Sequence, residues 1–256
     1  MSLYAEEGGD GADLLVLLHG LGATGAVWTP FLQLVRTHWR GRWFAPDLPG
    51  HGRSSRAQHY SVEDGAAAIG DALEGRVDPE GQLLILGHSF GGGIGLACAT
   101  GKFSAQPDIV FGVGIKLLWT EQDLIRMRTL AIQPAKIFEA EDDAWARYLK
   151  VSGLAGLTPV GSEVAARGIV QQDSGWRLAM DPAANDAGKP EFNELLAAAA
   201  CPIHLARGGQ DPLATLEQTR ALDPTAMDLG TYGHNVMVEA PERLWEWLEA
   251  QRAPPR

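Results

Sequence analysis

The segment of this sequence best suited to chemistry is Gly87-His88-Ser89-Phe90-Gly91, a serine flanked by glycines at two positions on either side. It follows the apolar run Leu83-Leu84-Ile85-Leu86 and precedes the helix-forming stretch that begins at Gly92. A sharp turn from strand into helix forces its central residue into strained backbone geometry and pushes a serine hydroxyl into the open. The glycines leave room for the turn and for close helix–strand packing. The helix start aims free N–H groups and the positive end of its dipole at the hydroxyl, so the Phe90 amide is expected to stabilise an oxyanion. Such a segment can also merely pack, or cradle phosphate. Against phosphate, it lacks the P-loop lysine and the Gly-x-Gly-x-x-Gly spacing. A serine hydroxyl is a poor nucleophile without a base, and the base needs a carboxylate to orient it.

Short apolar runs alternating with helix-period segments predict the scaffold, a mostly parallel α/β sheet flanked by helices. Leu14–Leu18, Trp43–Ala45, Leu83–Leu86 and Ile109–Phe111 read as strands buried on both faces, because their polarity does not alternate. Ile203–Ala206 and Ala226–Leu229 are weaker strands of the same kind, and Leu3–Glu6 is the one short strand that could precede Leu14. Helices are expected at Thr29–Thr37, Ser61–Leu73, Gly92–Thr100, Pro212–Leu222 and Pro241–Gln251, with a fraying tail at Ala253–Arg256. From about Gly114 to Asn185 the pattern is helical, over Glu121–Leu130, Pro134–Leu149 and Ser162–Gln172, with no convincing buried strand. Such a stretch is too long for a plain loop. The expected organisation is therefore a core of residues 1–113 and 186–256, interrupted by a helical cap at 114–185.

These motifs resemble the α/β-hydrolase family, in its serine-nucleophile branch with a helical cap. Leu17-Leu18-His19-Gly20-Leu21-Gly22 is similar to that fold's oxyanion loop, which implies the Leu21 amide as the second oxyanion donor beside Phe90. Asp47-Leu48-Pro49-Gly50-His51-Gly52-Arg53-Ser54 resembles the family's loop after the next strand; His19, His51 and Arg53 are expected to organise loops rather than carry protons. The family order of serine, acid and histidine implies His234, in Tyr232-Gly233-His234-Asn235, as the general base. It implies Asp211, in Gly208-Gly209-Gln210-Asp211, as the carboxylate that fixes the imidazole tautomer. Asp211 before Pro212 also suits a helix cap, and Glu121 or Asp123 occupies the rival acid position after the Val113 strand. Serine rather than aspartate as nucleophile argues against the epoxide-hydrolase and haloalkane-dehalogenase branches.

The resemblance implies hydrolysis of a small carboxylic ester through an acyl-enzyme, with no cofactor. Carbon–carbon, lactone or amide bonds remain open to the same three residues, although the Gly-Asn-Ser elbow of ring-cleavage hydrolases is absent. A ligand receptor on a hydrolase fold and acyl transfer to another acceptor are further readings. Leu124, Met127, Phe138, Trp145, Trp176 and Met180 make the insertion apolar; Leu124, Met127, Trp145 and Trp176 are the candidates to contact an apolar or aromatic acyl group. Tryptophans in such an insertion equally fill a small helical core.

Composition narrows the partners. Lys+Arg 21 against Asp+Glu 32 leaves a net charge of −11, which argues against nucleic acid and against an anionic membrane surface. Two cysteines, Cys98 and Cys201, are too few for a disulfide framework or a cysteine zinc site, and no His-Glu-x-x-His occurs. The acidic N-terminus lacks a signal-peptide pattern, and no apolar run approaches membrane-spanning length, so a reducing cytoplasm is the expected location.

Overall fold

A computed structural model describes residues 1–173 and 175–252; the tail at 253–256, expected to fray, lies outside the described residues. Seven strands form one sheet: β1 (Ala5–Gly9), β2 (Leu14–Leu18), β3 (Arg42–Pro46), β4 (Leu83–His88), β5 (Ile109–Val113), and two later strands described below. The helices between them are α1 (Thr29–His38), α2 (Val62–Leu73) and α3 (Phe90–Ala99). After β5 come α4 (Glu121–Ala131), α5 (Glu141–Val151), α6 (Glu163–Ala166), β6 (Ile169–Gln172), β7 (Gly175–Leu178) and a 3-10 turn at Pro182–Asp186. The chain then returns through α7 (Phe192–Ala197), β8 (Ile203–Arg207), α8 (Leu216–Leu222), β9 (Met227–Asp228), α9 (Val236–Glu239) and α10 (Pro241–Gln251). The sheet order is β1-β3-β2-β4-β5-β8-β9, parallel except for β1, which runs antiparallel to β3.

The central strands are apolar throughout because each face has its own helices. In β2, Leu15 and Leu17 join Phe31, Leu32 and Val35 of α1 and Leu244, Trp247 and Leu248 of α10 in one core. Leu14, Val16 and Leu18 face the other way, with Val62, Ala66 and Ile69 of α2 and Ile94 of α3. A parallel sheet covered on both faces is the reason these strands show no polar alternation.

The stretch after β5 is not all-helical, and the expectation over Ser162–Gln172 is corrected. Only Glu163–Ala166 is helix; Ile169–Gln172 pairs antiparallel with Gly175–Leu178, and Phe138 bridges to Trp176. The bridge also keeps the chain before Glu141 out of the helix expected from Pro134. Likewise α8 begins at Leu216 rather than Pro212, capped by the Thr215 hydroxyl, because residues 208–213 are held in a separate loop.

Side-chain ties at several places hold the inserted stretch to the rest of the molecule. Asn235 Nδ2 donates to the Ser152 and Gly153 carbonyls at the end of α5, at 3.4 and 3.0 Å. The Arg167 guanidinium pairs with Glu6 and lies 4.0 Å from Asp47. Tyr60 donates its hydroxyl proton to Asp181 at 2.9 Å. Among the described residues no helix is long and apolar enough to cross a membrane, and no group of three His, Cys, Asp or Glu side chains is arranged to hold a metal.

Candidate active site

Ser89 sits at the junction of β4 and α3 with φ 52° and ψ −115°, the one non-glycine residue with positive φ among the described residues. Its amide donates to the Val113 carbonyl at 2.8 Å, which locks the turn against the end of β5. A Cβ on Gly87 would collide with the Gly91 carbonyl, and one on Gly91 with the carbonyls of Leu18 and His19. Both positions therefore demand glycine for close approach, as the turn argument requires. Strain of this kind costs on the order of 1–3 kcal/mol and persists only where the surroundings impose it.

Asp211 and His234 come from the loops after β8 and β9. His234 Nδ1 donates to Asp211 Oδ2 at 2.9 Å, while Asp211 Oδ1 accepts the Leu213 amide at 2.8 Å. The carboxylate thus has both oxygens engaged, and it is buried, whereas the imidazole retains 18% exposure. The two loops are zipped together by Gly209 and Gln210 amides donating to the Gly230 and Tyr232 carbonyls. Arg207, itself buried, staples the acid loop through the carbonyls of Ala214, Gly209 and Asp211. The rival acid Asp123 is engaged elsewhere, capping α4 through Thr120 and pairing with Lys116 at 2.9 Å.

Several residues that position His234 were not legible from motifs. Glu239 accepts the amides on both sides of it, from Gly233 at 2.7 Å and Asn235 at 3.1 Å. His88 Nε2 donates to the His234 carbonyl at 2.9 Å, and the two rings lie 4.5 Å apart. Gly114, at φ +63°, lies against the pair: a Cβ there would stand 3.1 Å from Asp211 Oδ2 and 3.3 Å from His234 Nδ1. The short Gly233-His234-Asn235…Glu239 spacing is a visible signal for the first of these; Gly114 declares itself only in three dimensions.

His19 and His51 do organise a loop. His19 Nε2 accepts the Leu48 amide at 2.9 Å and its Nδ1 donates to the Gly20 carbonyl at 2.8 Å. His51 Nε2 accepts the Gly22 amide at 3.1 Å and its Nδ1 donates to the Pro49 carbonyl at 2.9 Å. Both rings are therefore neutral, and burial pushes their pKa values down, to about 4 for His19 and about 3 for His51. Between them they clamp Gly20-Leu21-Gly22. The Leu21 and Phe90 amides donate to no acceptor among the described residues. Arg53 stacks on Tyr4 and gives its amide to Asp47 at 2.9 Å, also a structural role.

Ser89, Phe90, Leu21 and His234 share a cavity of ≈ 500 Å³, a size suited to a small-molecule ligand. Met127 and Met180 line it, together with Trp119, Val62, Ile115 and Phe192. Leu124, Trp145 and Trp176 do not: the two tryptophans pack against the core cluster that contains Tyr148 and Ile169. The expectation that they line the cavity is corrected accordingly: Trp145 on α5 and Trp176 on β7 pack into the insertion's own core, and Leu124 on α4 is half-buried outside both. The lining also includes Lys116, Arg126, Arg147 and Lys150, which the apolar reading of the insertion overlooked.

Comparison with known proteins gives a consistent picture. A family model described as "Alpha/beta hydrolase family" matches residues 15–247. Pimeloyl-[acyl-carrier protein] methyl ester esterase of Vibrio cholerae is 42% identical over 69 residues, 27% of this chain and 26% of that one. Protein phosphatase methylesterase 1 of Bos taurus is 25% identical over 185 residues, 64% of this chain and 49% of that protein. The chain thus spans between about a quarter and a half of these relatives' length. The solved structure of E-2-(acetamidomethylene)succinate hydrolase superposes with a TM-score of 0.78 at 21% identity, covering 97% of this chain and 94% of that one, a likeness of fold.

Proposed function

This chain belongs to the α/β-hydrolase family, and on that basis we propose that it hydrolyses carboxylic esters of small molecules with Ser89 as nucleophile, His234 as base and Asp211 as its orienting acid. The observation that carries the reading is the strained, cavity-facing Ser89 sharing its cavity with an imidazole whose far nitrogen is held by a buried carboxylate. Two relatives whose names specify methyl ester cleavage point to the same bond.

In this mechanism His234 Nε2 takes the Ser89 proton as Oγ attacks the ester carbonyl carbon. The carbonyl π electrons move onto oxygen, and the Leu21 and Phe90 amides receive that oxyanion. Collapse breaks the bond to the alcohol, which leaves with the proton from His234. Water then gives its proton to the same nitrogen, attacks the acyl-serine, and releases the acid as Ser89 recovers its proton. The Asp211 carboxylate fixes the tautomer that leaves Nε2 free and stabilises the transient imidazolium. Clamping of the oxyanion loop by two neutral histidines means its donors need no rearrangement when charge develops.

The test is release of p-nitrophenol from acetate and butyrate esters by wild type, Ser89→Ala and His234→Ala. Each substitution is expected to lower kcat by about 10³-fold or more, with unchanged circular dichroism. Absence of wild-type turnover together with failure of a fluorophosphonate to label Ser89 overturns the reading.

A further inference from the structure

The cavity's charge is opposite to that of the chain. Against a net charge of −11, its lining carries four cations and a single carboxylate. That carboxylate, Asp123, is already held by Lys116 at 2.9 Å, and the Lys116 ammonium also lies 4.7 Å from the centre of the Trp119 ring. Arg126 of α4 and Arg147 and Lys150 of α5 form no ion pair among the described residues, although acidic side chains are abundant in both helices. All three are exposed, whereas Ser89 and His234 are only partly so. The exposed part of the lining thus carries three cations, while Met127, Met180 and Phe192 give its less exposed part, next to the partly exposed Ser89, an apolar character.

We propose that the substrate is an ester whose non-reacting end carries a carboxylate or phosphate, held at the rim by Arg126, Arg147 and Lys150 while a short apolar spacer places the ester carbonyl at Ser89. This rests on the hydrolase reading and adds a substrate class to it. Arginine forks suit the planar or tetrahedral oxygens of either anion, and a lysine beside them adds a mobile point charge. Arg147 and Lys150 are three positions apart and face the same side of α5, so one anion can engage both. A cationic mouth in an otherwise acidic surface also steers anions to the cavity in preference to the rest of the molecule.

The experiment compares kcat/KM for three esters of similar reach: mono-p-nitrophenyl glutarate, p-nitrophenyl 4-phosphonobutanoate and the uncharged p-nitrophenyl pentanoate. Wild type is expected to favour one of the charged esters over the uncharged one by about tenfold, a preference that shrinks in 0.5 M salt. The phosphonate and carboxylate arms show which anion the rim prefers. In the triple variant Arg126→Gln/Arg147→Gln/Lys150→Gln the ratio of charged to uncharged turnover should fall to about one. Hydrolysis of all three esters without preference, or a preference the triple variant retains, overturns the anion site while leaving the hydrolase reading intact. Should no ester turn over, calorimetric titration with glutarate decides separately: binding that the triple variant loses supports the rim site, and no binding to wild type overturns it.

Discussion

Mild acid should destabilise this protein through its buried histidines, and the size of the effect follows from His19 and His51. Both are fully buried and neutral, with pKa values held down from 6.5 to about 4 and about 3 by desolvation. In the unfolded chain each takes up a proton as pH falls below 6.5, while in the native state neither does so until much lower pH. Their stabilising contribution is therefore complete above pH 6.5 and is lost as pH falls towards 4 and then 3. At pH 5 the pH lies 1.5 units below the ordinary histidine pKa of 6.5 that applies in the unfolded chain, so the pair costs about 4 kcal/mol of stability. That is a large share of the roughly 5–15 kcal/mol that holds a domain together. His88, also pushed well below the ordinary value by burial, acts in the same direction. Urea unfolding followed by tryptophan fluorescence at pH 7.5, 6.5, 5.5 and 5.0 should show the midpoint falling by roughly 1.5 M or more across the series. His51→Gln removes one titrating group and should flatten the dependence appreciably, whatever it does to absolute stability. A midpoint level from pH 7.5 to 5, or a slope unchanged in His51→Gln, would refute the assignment of these rings as buried neutral clamps.

Two further substitutions probe the histidine loop. Gly114→Ala forces a side chain into left-handed backbone, at ~1–2 kcal/mol, and sets a methyl against the Asp211–His234 pair; kcat should drop by ~10-fold or more and Tm by a few degrees. Glu239→Ala frees the Gly233 and Asn235 amides that hold His234 in place; steady-state kinetics should show kcat reduced by ~10-fold with KM little altered.

What could be read in advance divides along a physical line. The strands from Leu14, Leu83 and Ile109 were legible because burial on both faces leaves a continuous apolar run, and the Ser89 turn because its sterics demand glycines at fixed spacing. The β6–β7 hairpin was not: each strand has four residues, Ile169 alone is buried, and the same letters satisfy a helical period. Trp145 and Trp176 could not be told apart from Trp119 for a related reason, since a side chain that fills a small core and one that faces a ligand look alike until the backbone direction is known. Arg126, Arg147 and Lys150 read as ordinary solvated helix residues; their meaning arises from two helices lining the same cavity as Ser89. Gly114 belongs to the same class, fixed by contacts with Asp211 and His234 that no short spacing encodes.

The ties between the insertion and the sheet also bear on how the molecule assembles. Strands β5 and β8 are hydrogen-bonded neighbours separated by roughly 90 residues of chain, and closing a flexible loop of that length costs on the order of 4 kcal/mol of chain entropy. Folding of α5, the β6–β7 hairpin and their tryptophan-lined core shortens that loop, and the Asn235 bonds to Ser152 and Gly153 tie its middle to the segment after β9. The insertion thus acts as a splint for the sheet as well as a wall of the cavity. Loosening it would slow the meeting of β5 with β8, and with it the arrival of Asp211 and His234 beside Ser89.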